Sequence, residues 1–347
     1  MECKLISSIE KELKLLLGKS ELEFQLIKIA NENNKCYIIK CLSNKTENEF
    51  FLKLQKKENK LIIESEVLKL IEPLQIAPIC LISNINFYIS EYFKGGTLKL
   101  IDLKNEKING ELMKKIVKLH TSKNLYDRLK FHLKDEKPFV ERFYSTWLVS
   151  MNNKITRLKD LYPDKINILN EIYIINDSKF QIVYQNLIKN FSQISICHND
   201  LSLNNILFNG DYAHPEIKII DFEYLEQNYI AFDIAFLIEE CEVDYQYPMF
   251  PFFKFCEENK LTEEEQNSII KHYCSLLNNE SFFDKELSFE NLKSQIDIFL
   301  CLIDLYSTVW GLAFHEEKDD WKIEYSIQRW GRFALNNKRK SNFFPIL

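Results

Sequence analysis

Cys197-His198-Asn199-Asp200-Leu201-Ser202-Leu203-Asn204-Asn205-Ile206-Leu207, followed 16 residues after Asn205 by Asp221-Phe222-Glu223-Tyr224, is the stretch that decides how this chain reads. Ile206–Phe208 and Glu216–Ile220 have the composition of two short strands joined across the turn Asn209-Gly210-Asp211. Such a hairpin draws Asp200, Asn205 and Asp221 to one end. Phosphoryl transfer needs a carboxylate to orient a hydroxyl and take its proton, and oxygen ligands to hold Mg2+ across a polyphosphate. Mg2+ prefers hard oxygens and keeps some of its waters, so one carboxylate and one carboxamide suffice from the protein. Asp200 fits the base, Asn205 and Asp221 fit the metal ligands, and Glu223 fits support of a second ion. A lone Asp-x4-Asn would be turn chemistry only. Here it stands with His198, an apolar run and a downstream Ile-Asp-Phe in the required order. His198 reads as a hydrogen-bonding residue that shapes the loop rather than a proton carrier.

Working outward, the residues before Gly95-Gly96 differ from those after. Leu5, Ile9, Leu13 and Leu16 recur at helical spacing within residues 2–17. Strand-like runs follow at 24–30, 36–42 and 50–54, then a helix at 61–71 and strands at 79–83 and 87–93. Beyond Gly96, helical patterns occupy 111–120, 137–150, 165–176 and 180–191. The section 194–221 is β-like, and helices resume from 230 to the end. The expectation is an α+β chain with a small β-rich N-lobe, residues 1–94, and a larger, mainly helical C-lobe, residues 95–347. Ligands favour the interface of such domains.

Composition removes several function classes. With 45 basic against 51 acidic residues the net charge is -6, which argues against nucleic acid or an anionic membrane as partner. No basic segment followed by an apolar core begins the chain, so no secretory signal is expected. The longest apolar run, about 298–314, contains Asp304 and reads as a buried helix too short to span a bilayer, leaving no integral membrane segment. Nine cysteines, an odd number without any Cys-x-x-Cys, suit reduced thiols and a cytoplasmic location. No Gly-x-Gly-x-x-Gly or Gly-x4-Gly-Lys occurs, which excludes a Walker-type phosphate loop.

The catalytic-loop residues resemble the choline/ethanolamine kinase family, within the aminoglycoside-phosphotransferase-like kinases. The likeness lies in His198-Asn199-Asp200 with Asn205-Ile206-Leu207, and in Ile220-Asp221-Phe222-Glu223-Tyr224 with Asn228-Tyr229 and Phe232-Asp233-Ile234. It continues through Glu240, Asp244-Tyr245 and Tyr247-Pro248 and returns at Trp310-Gly311-Leu312. A protein kinase would carry Gly where Glu223 stands. The resemblance implies a two-lobed protein-kinase-like fold with ATP and Mg2+ between the lobes. Choline or ethanolamine would accept the phosphoryl group, a first step toward phospholipids. It leaves a homodimer open.

By the same resemblance, the turn at Asn33-Asn34-Lys35-Cys36-Tyr37 covers the phosphates with Asn34, although it lacks that family's glycines. Lys53 stands where the family places a cation on the ATP phosphates, and Glu64 where its ion-pair partner lies. Glu91-Tyr92-Phe93 looks like the hinge, with Glu91 and Phe93 beside the adenine. Glu240, Tyr245, Trp310 and Tyr325 line the acceptor pocket, where aromatic faces hold an ammonium. Two departures stand out. The family's second Trp is here Ala313 and its Gly-Asn-His is here Ala235-Phe236-Leu237, so that one wall of the pocket is either absent or supplied by Phe314, Trp321 or Trp330. The rival readings are a kinase of the same fold acting on an aminoglycoside or sugar, and an inactive binding protein that keeps the fold.

Overall fold

Apolar side chains at Ile9 and Leu13 turn the first helix onto a sheet whose strands alternate inward and outward residues. The computed structural model describes residues 2–29, 36–42, 48–55, 64–130, 137–189, 191, 193–280, 282–283, 286–316, 319–340 and 343–344. The chain begins with α1 (Glu2–Leu17), β1 (Glu23–Lys28), β2 (Cys36–Leu42), β3 (Asn48–Leu54), α2 (Glu64–Ile71), β4 (Cys80–Ser83), β5 (Phe87–Glu91) and β6 (Gly96–Thr97). It continues with α3 (Leu100–Leu103), α4 (Glu106–His120), α5 (Lys123–Lys130), α6 (Phe139–Leu161), α7 (Ile166–Ile172), α8 (Ser178–Ile188) and β7 (Ile194–Cys197). Then come β8 (Ile206–Phe208), β9 (Ile217–Ile219), β10 (Glu226–Tyr229), α9 (Ile230–Glu240), β11 (Val243–Asp244) and β12 (Lys254–Phe255). The last helices are α10 (Glu263–Asn278), α11 (Phe289–Ala313) and α12 (Asp320–Lys340).

The chain forms two compact units. The sheet unit comprises residues 1–98, 124–134 and 204–225, and the helical unit comprises 99–123, 135–203 and 226–347. The division expected from the sequence, 1–94 and 95–347, follows chain order, whereas compactness gathers the hairpin 204–225 into the first unit. In the sheet unit five antiparallel strands run in the order β1-β2-β3-β5-β4. Their inner face buries Ile39, Leu52, Phe87 and Ile89 with Ile9 and Leu13 of α1. Leu16, expected on that face, is 39% exposed, and Leu17 packs there instead, one turn beyond Leu13. The run Leu15-Leu16-Leu17 made that register ambiguous. A second sheet, β6-β8-β9, contains the anticipated hairpin, with Ile206 opposite Ile219 and Phe208 opposite Ile217.

The helical unit is built around α11, whose residues from Phe299 to Val309 are almost continuously buried. By length and composition α11 is long and apolar enough to cross a membrane, which corrects the view that the run is too short. Most of it is nevertheless enclosed by neighbouring helices, as in a core helix. Two helices outrun their expected ends. α4 starts at Glu106, where Asn105 accepts the Lys107 and Ile108 N–H groups, and Gly110 sits inside it. α6 continues past Asn152-Asn153 to Leu161. The C-terminal part is not wholly helical, since β11 and β12 form a two-stranded ribbon.

Candidate active site

In the sheet unit, β3 presents Lys53 opposite Cys36 of β2 and Tyr88 of β5. Lys53 is 7% exposed, and its Nζ lies 2.7 Å from Glu64 Oε2 and 2.8 Å from Asp221 Oδ1. Glu64 is the first residue of α2 and also receives the Tyr88 hydroxyl at 3.3 Å. Burial alone would lower the Lys53 pKa, but Glu64, Tyr88 and Asp221 hold it well above the ordinary lysine value. Burial pushes the Glu64 carboxyl up, Lys53 opposes that, and Asp221 and Glu223 reinforce it.

The β8–β9 hairpin sets the other side of this cluster. Ile220 N–H donates to Asn205 O at 2.9 Å, which ties the two ends of the hairpin together. Asp221 then takes a left-handed backbone conformation with φ 64°, which Asp tolerates better than most side chains. Glu223 follows in the 3-10 turn Phe222–Tyr224. Glu64 and Asp221 thus put two carboxylates on one lysine, Glu223 adds its charge beside Glu64, and the Asn205 carboxamide is on the hairpin that leads to Asp221. Such an excess of hard oxygen suits a divalent cation such as Mg2+.

Glu91 pairs with Phe50 and its N–H donates to Ile79 O at 3.0 Å. Phe93 lies just beyond, against Gly95. A Cβ on Gly95 would stand 2.3 Å from Phe208 O and 2.8 Å from the Phe93 ring, so this position must be glycine. Asn34, the expected phosphate-turn residue, lies outside the described residues.

In the helical unit, Asp233 of α9 holds the loop that carries Asp200. Its carboxylate accepts His198 N–H at 2.7 Å and Asn199 N–H at 2.8 Å, and His120 Nε2 lies 3.0 Å away. His120 Nδ1 is in turn 2.6 Å from the Tyr273 hydroxyl. Burial would raise the Asp233 pKa, but His120 and His198 bring it below the ordinary value. Asn199 adopts φ 65°, and its side chain donates to Cys197 O and Glu226 O while accepting from Asn228. The Asp200 N–H donates to His198 Nδ1 at 3.2 Å. His198 therefore shapes the loop.

The four residues expected around the acceptor are linked in the same unit. Tyr245 donates to Glu240 Oε2 at 2.6 Å, and the Tyr245 and Tyr325 hydroxyls are 3.2 Å apart. Trp310 meets Tyr325 edge to face, with centroids 6.1 Å apart. The ring centroids of Trp321 and Phe314 lie 6.3 and 6.4 Å from that of Trp310, and Ala313 is buried. Trp330 is not among them, because it is fully buried and its Nε1 donates to Glu171. Glu240 also bonds the buried Arg329, which reaches Asp304 at 2.9 Å. Arg332 joins Glu239, Glu242 and Asp304. Burial and Glu239 push the Asp304 carboxyl up to about 7, against the pull of Arg329 and Arg332.

Lys53 is thus in direct contact with Glu64 and Asp221, Asn205 and Glu223 flank the hairpin that leads to Asp221, and Glu240, Tyr245, Tyr325 and Trp310 form a second group. Asp200 belongs to the helical unit. Sequence reasoning assigned no role to His120, Asp233, Tyr273, Lys322 or Arg329. Asp233 alone had a signal, its place in the Phe232-Asp233-Ile234 motif.

A profile of the choline/ethanolamine kinase family matches residues 25–337. Among curated relatives, "Probable choline kinase 3" of Arabidopsis thaliana is 26% identical over 74% of this chain and 68% of its own length. The "Choline/ethanolamine kinase" of Rattus norvegicus is 26% identical over 65% of this chain, and the match spans about half of the rat protein, 54%. The fold is similar to that of a solved choline kinase from Cryptosporidium parvum Iowa II, with a TM-score of 0.68 at 21% identity, covering 94% of this chain and 92% of that one. That neighbour makes the α+β architecture a kinase-like one. Because the profile takes in most of the sequence, the chain belongs to the choline/ethanolamine kinase family.

Proposed function

We propose that this protein transfers the γ-phosphoryl group of ATP to the hydroxyl of choline or ethanolamine. The observation that carries the reading is the grouping of Lys53 with Glu64 and Asp221, at 2.7 and 2.8 Å, where Asp221 follows the hairpin that begins at Asn205. Lys53, kept in position by Glu64, binds phosphate oxygens. Asn205 and Asp221, supported by Glu223, hold the metal. Bound Mg2+ supplies neutralisation of the phosphate charge as it develops. Asp200, on the loop fastened by Asp233, orients the acceptor hydroxyl and takes its proton as the oxygen attacks the γ-phosphorus and ADP departs.

Adenine lies along Glu91–Phe93, beside the strands that carry Lys53, so that the nucleotide belongs to the sheet unit. Glu240, Tyr245, Trp310 and Tyr325 receive the amino end of the acceptor in the helical unit. A cytoplasmic place of action is supported by eight described cysteines, all buried, with no disulfide among them.

Replacing Asp200 by Ala tests the reading. In a coupled ADP-release assay with choline, ethanolamine and kanamycin side by side, the wild type should turn over an amino alcohol. The variant should lose that activity by about 10³-fold or more while still binding nucleotide. Turnover retained in the variant would remove Asp200 as base, and turnover of kanamycin alone would remove the amino-alcohol reading.

A further inference from the structure

The face of Trp310 is already in use. Lys322 of α12 places its Nζ 5.6 Å from the Trp310 ring centroid and 5.7 Å from that of Trp321. The ammonium is fixed there by Phe314 O at 2.8 Å and Asp319 Oδ2 at 2.7 Å, and the residue is only 9% exposed. The neighbouring rings are engaged in the same way. The Arg329 guanidinium lies 5.0 Å from the Tyr325 centroid and 4.8 Å from that of Phe255, and Arg332 lies 4.6 Å from Phe255. Aromatic surface that would attract an acceptor's cation is covered by cations of the chain itself.

A trimethylammonium group has no N–H donor and binds chiefly through such ring faces. A second positive charge brought to the same rings also meets Lys322, whose pairing with Asp319 offsets its charge without uncovering the indoles. A primary ammonium has another way to bind. It carries three N–H donors, and the Glu240 carboxylate and the Tyr245 and Tyr325 hydroxyls offer oxygen within the same group of residues. Glu240 already accepts from Arg329 and Tyr245, yet a carboxylate has about four acceptor positions.

Resting on the amino-alcohol reading above, we infer that Lys322 is a specificity-determining residue, whose ammonium occupies the Trp310–Trp321 faces and selects primary-ammonium acceptors over trimethylammonium ones. Lys322 also caps the C-terminal end of α11 through Phe314 O, so a purely structural part must be separated from selection.

The test compares wild type, Lys322→Met and Lys322→Arg in two measurements. In kcat/KM from ADP release, the wild type should favour ethanolamine over choline by about tenfold or more, and Lys322→Met should move that ratio about tenfold toward choline, mainly through the KM for choline. Lys322→Arg, which keeps the charge and the carbonyl bond, should retain the wild-type ratio. A structural role alone would lower both activities together and leave the ratio in place. In the second measurement, tryptophan fluorescence titrated with tetramethylammonium should show about tenfold tighter binding to Lys322→Met than to the other two proteins. Equal tetramethylammonium affinity in all three overturns the inference, as does a wild-type preference for choline, which needs no variant to fold. If the wild type phosphorylates neither amino alcohol, the functional reading fails, while the tetramethylammonium titration still decides the role of Lys322.

Discussion

Asp221 and Asp233 are both aspartates set by the same stretch of chain, and their surroundings differ in kind. The Asp221 side chain remains 22% exposed, stands on a left-handed backbone turn and bonds Lys53. Asp233 is fully buried and receives two backbone N–H groups together with His120. A carboxylate enclosed by donors holds structure, because its oxygens are already committed and any loss leaves those donors unsatisfied in the interior. A carboxylate partly open to solvent beside a buried lysine keeps oxygen accessible from outside the chain. Asp304 adds a third condition. It is as buried as Asp233, but Glu239, Glu240 and Glu242 together with Asp304 outnumber Arg329 and Arg332, and it is pushed up to about 7.

The sharpest way to break the contrast is Asp221→Ala. Catalytic efficiency should fall about 10³-fold, Mg2+-dependent nucleotide affinity should weaken, and the melting temperature should change little. Calorimetry with Mg-ATP checks this, and normal affinity would contradict a metal role.

Asp233→Asn should do the reverse, costing about 3–5 kcal/mol of stability in urea unfolding because an amide cannot accept from all three donors. Since its native pKa lies below the ordinary 3.8, the Asp233 contribution is complete above that value and fades as pH falls further. A variant as stable as the wild type would mean that the three bonds do not hold the loop.

The smallest effect concerns Asp304. Its native pKa is raised, so the stability tied to its proton is complete below about pH 4 and is lost as pH rises through about 7. The wild-type melting temperature should therefore fall by several degrees between pH 5 and 8, and Asp304→Asn should lack that component. Parallel curves for the two proteins would place the proton elsewhere.

Local features were legible in the sequence and distant pairings were not. The hairpin from Ile206 to Ile219 was readable because its strands and turn are contiguous, and β2 because Cys36–Leu42 is one uninterrupted run. The α4 start was hidden by Gly110, a poor helix residue that nevertheless lies inside the helix. Lys53, Glu64 and the acceptor residues came from a family likeness, since lysine and glutamate are too common here for spacing to single them out. His120 gave no signal at all, being 113 residues from the aspartate it meets. Lys322 and Arg329 lie in a stretch read only as helical, and the packing of α12 against α11 shows them covering rings and buried acids.

Gly95 gives the sheet unit one further property. Its bare α-carbon lets the segment after Phe93 lie directly against the carbonyl of Phe208, the last residue of β8. Even a single methyl group there would act as a wedge against the strand whose other end leads back to Asn205. Displacement of the hairpin that leads to Asp221 can therefore originate at a residue with no side chain and no chemistry of its own.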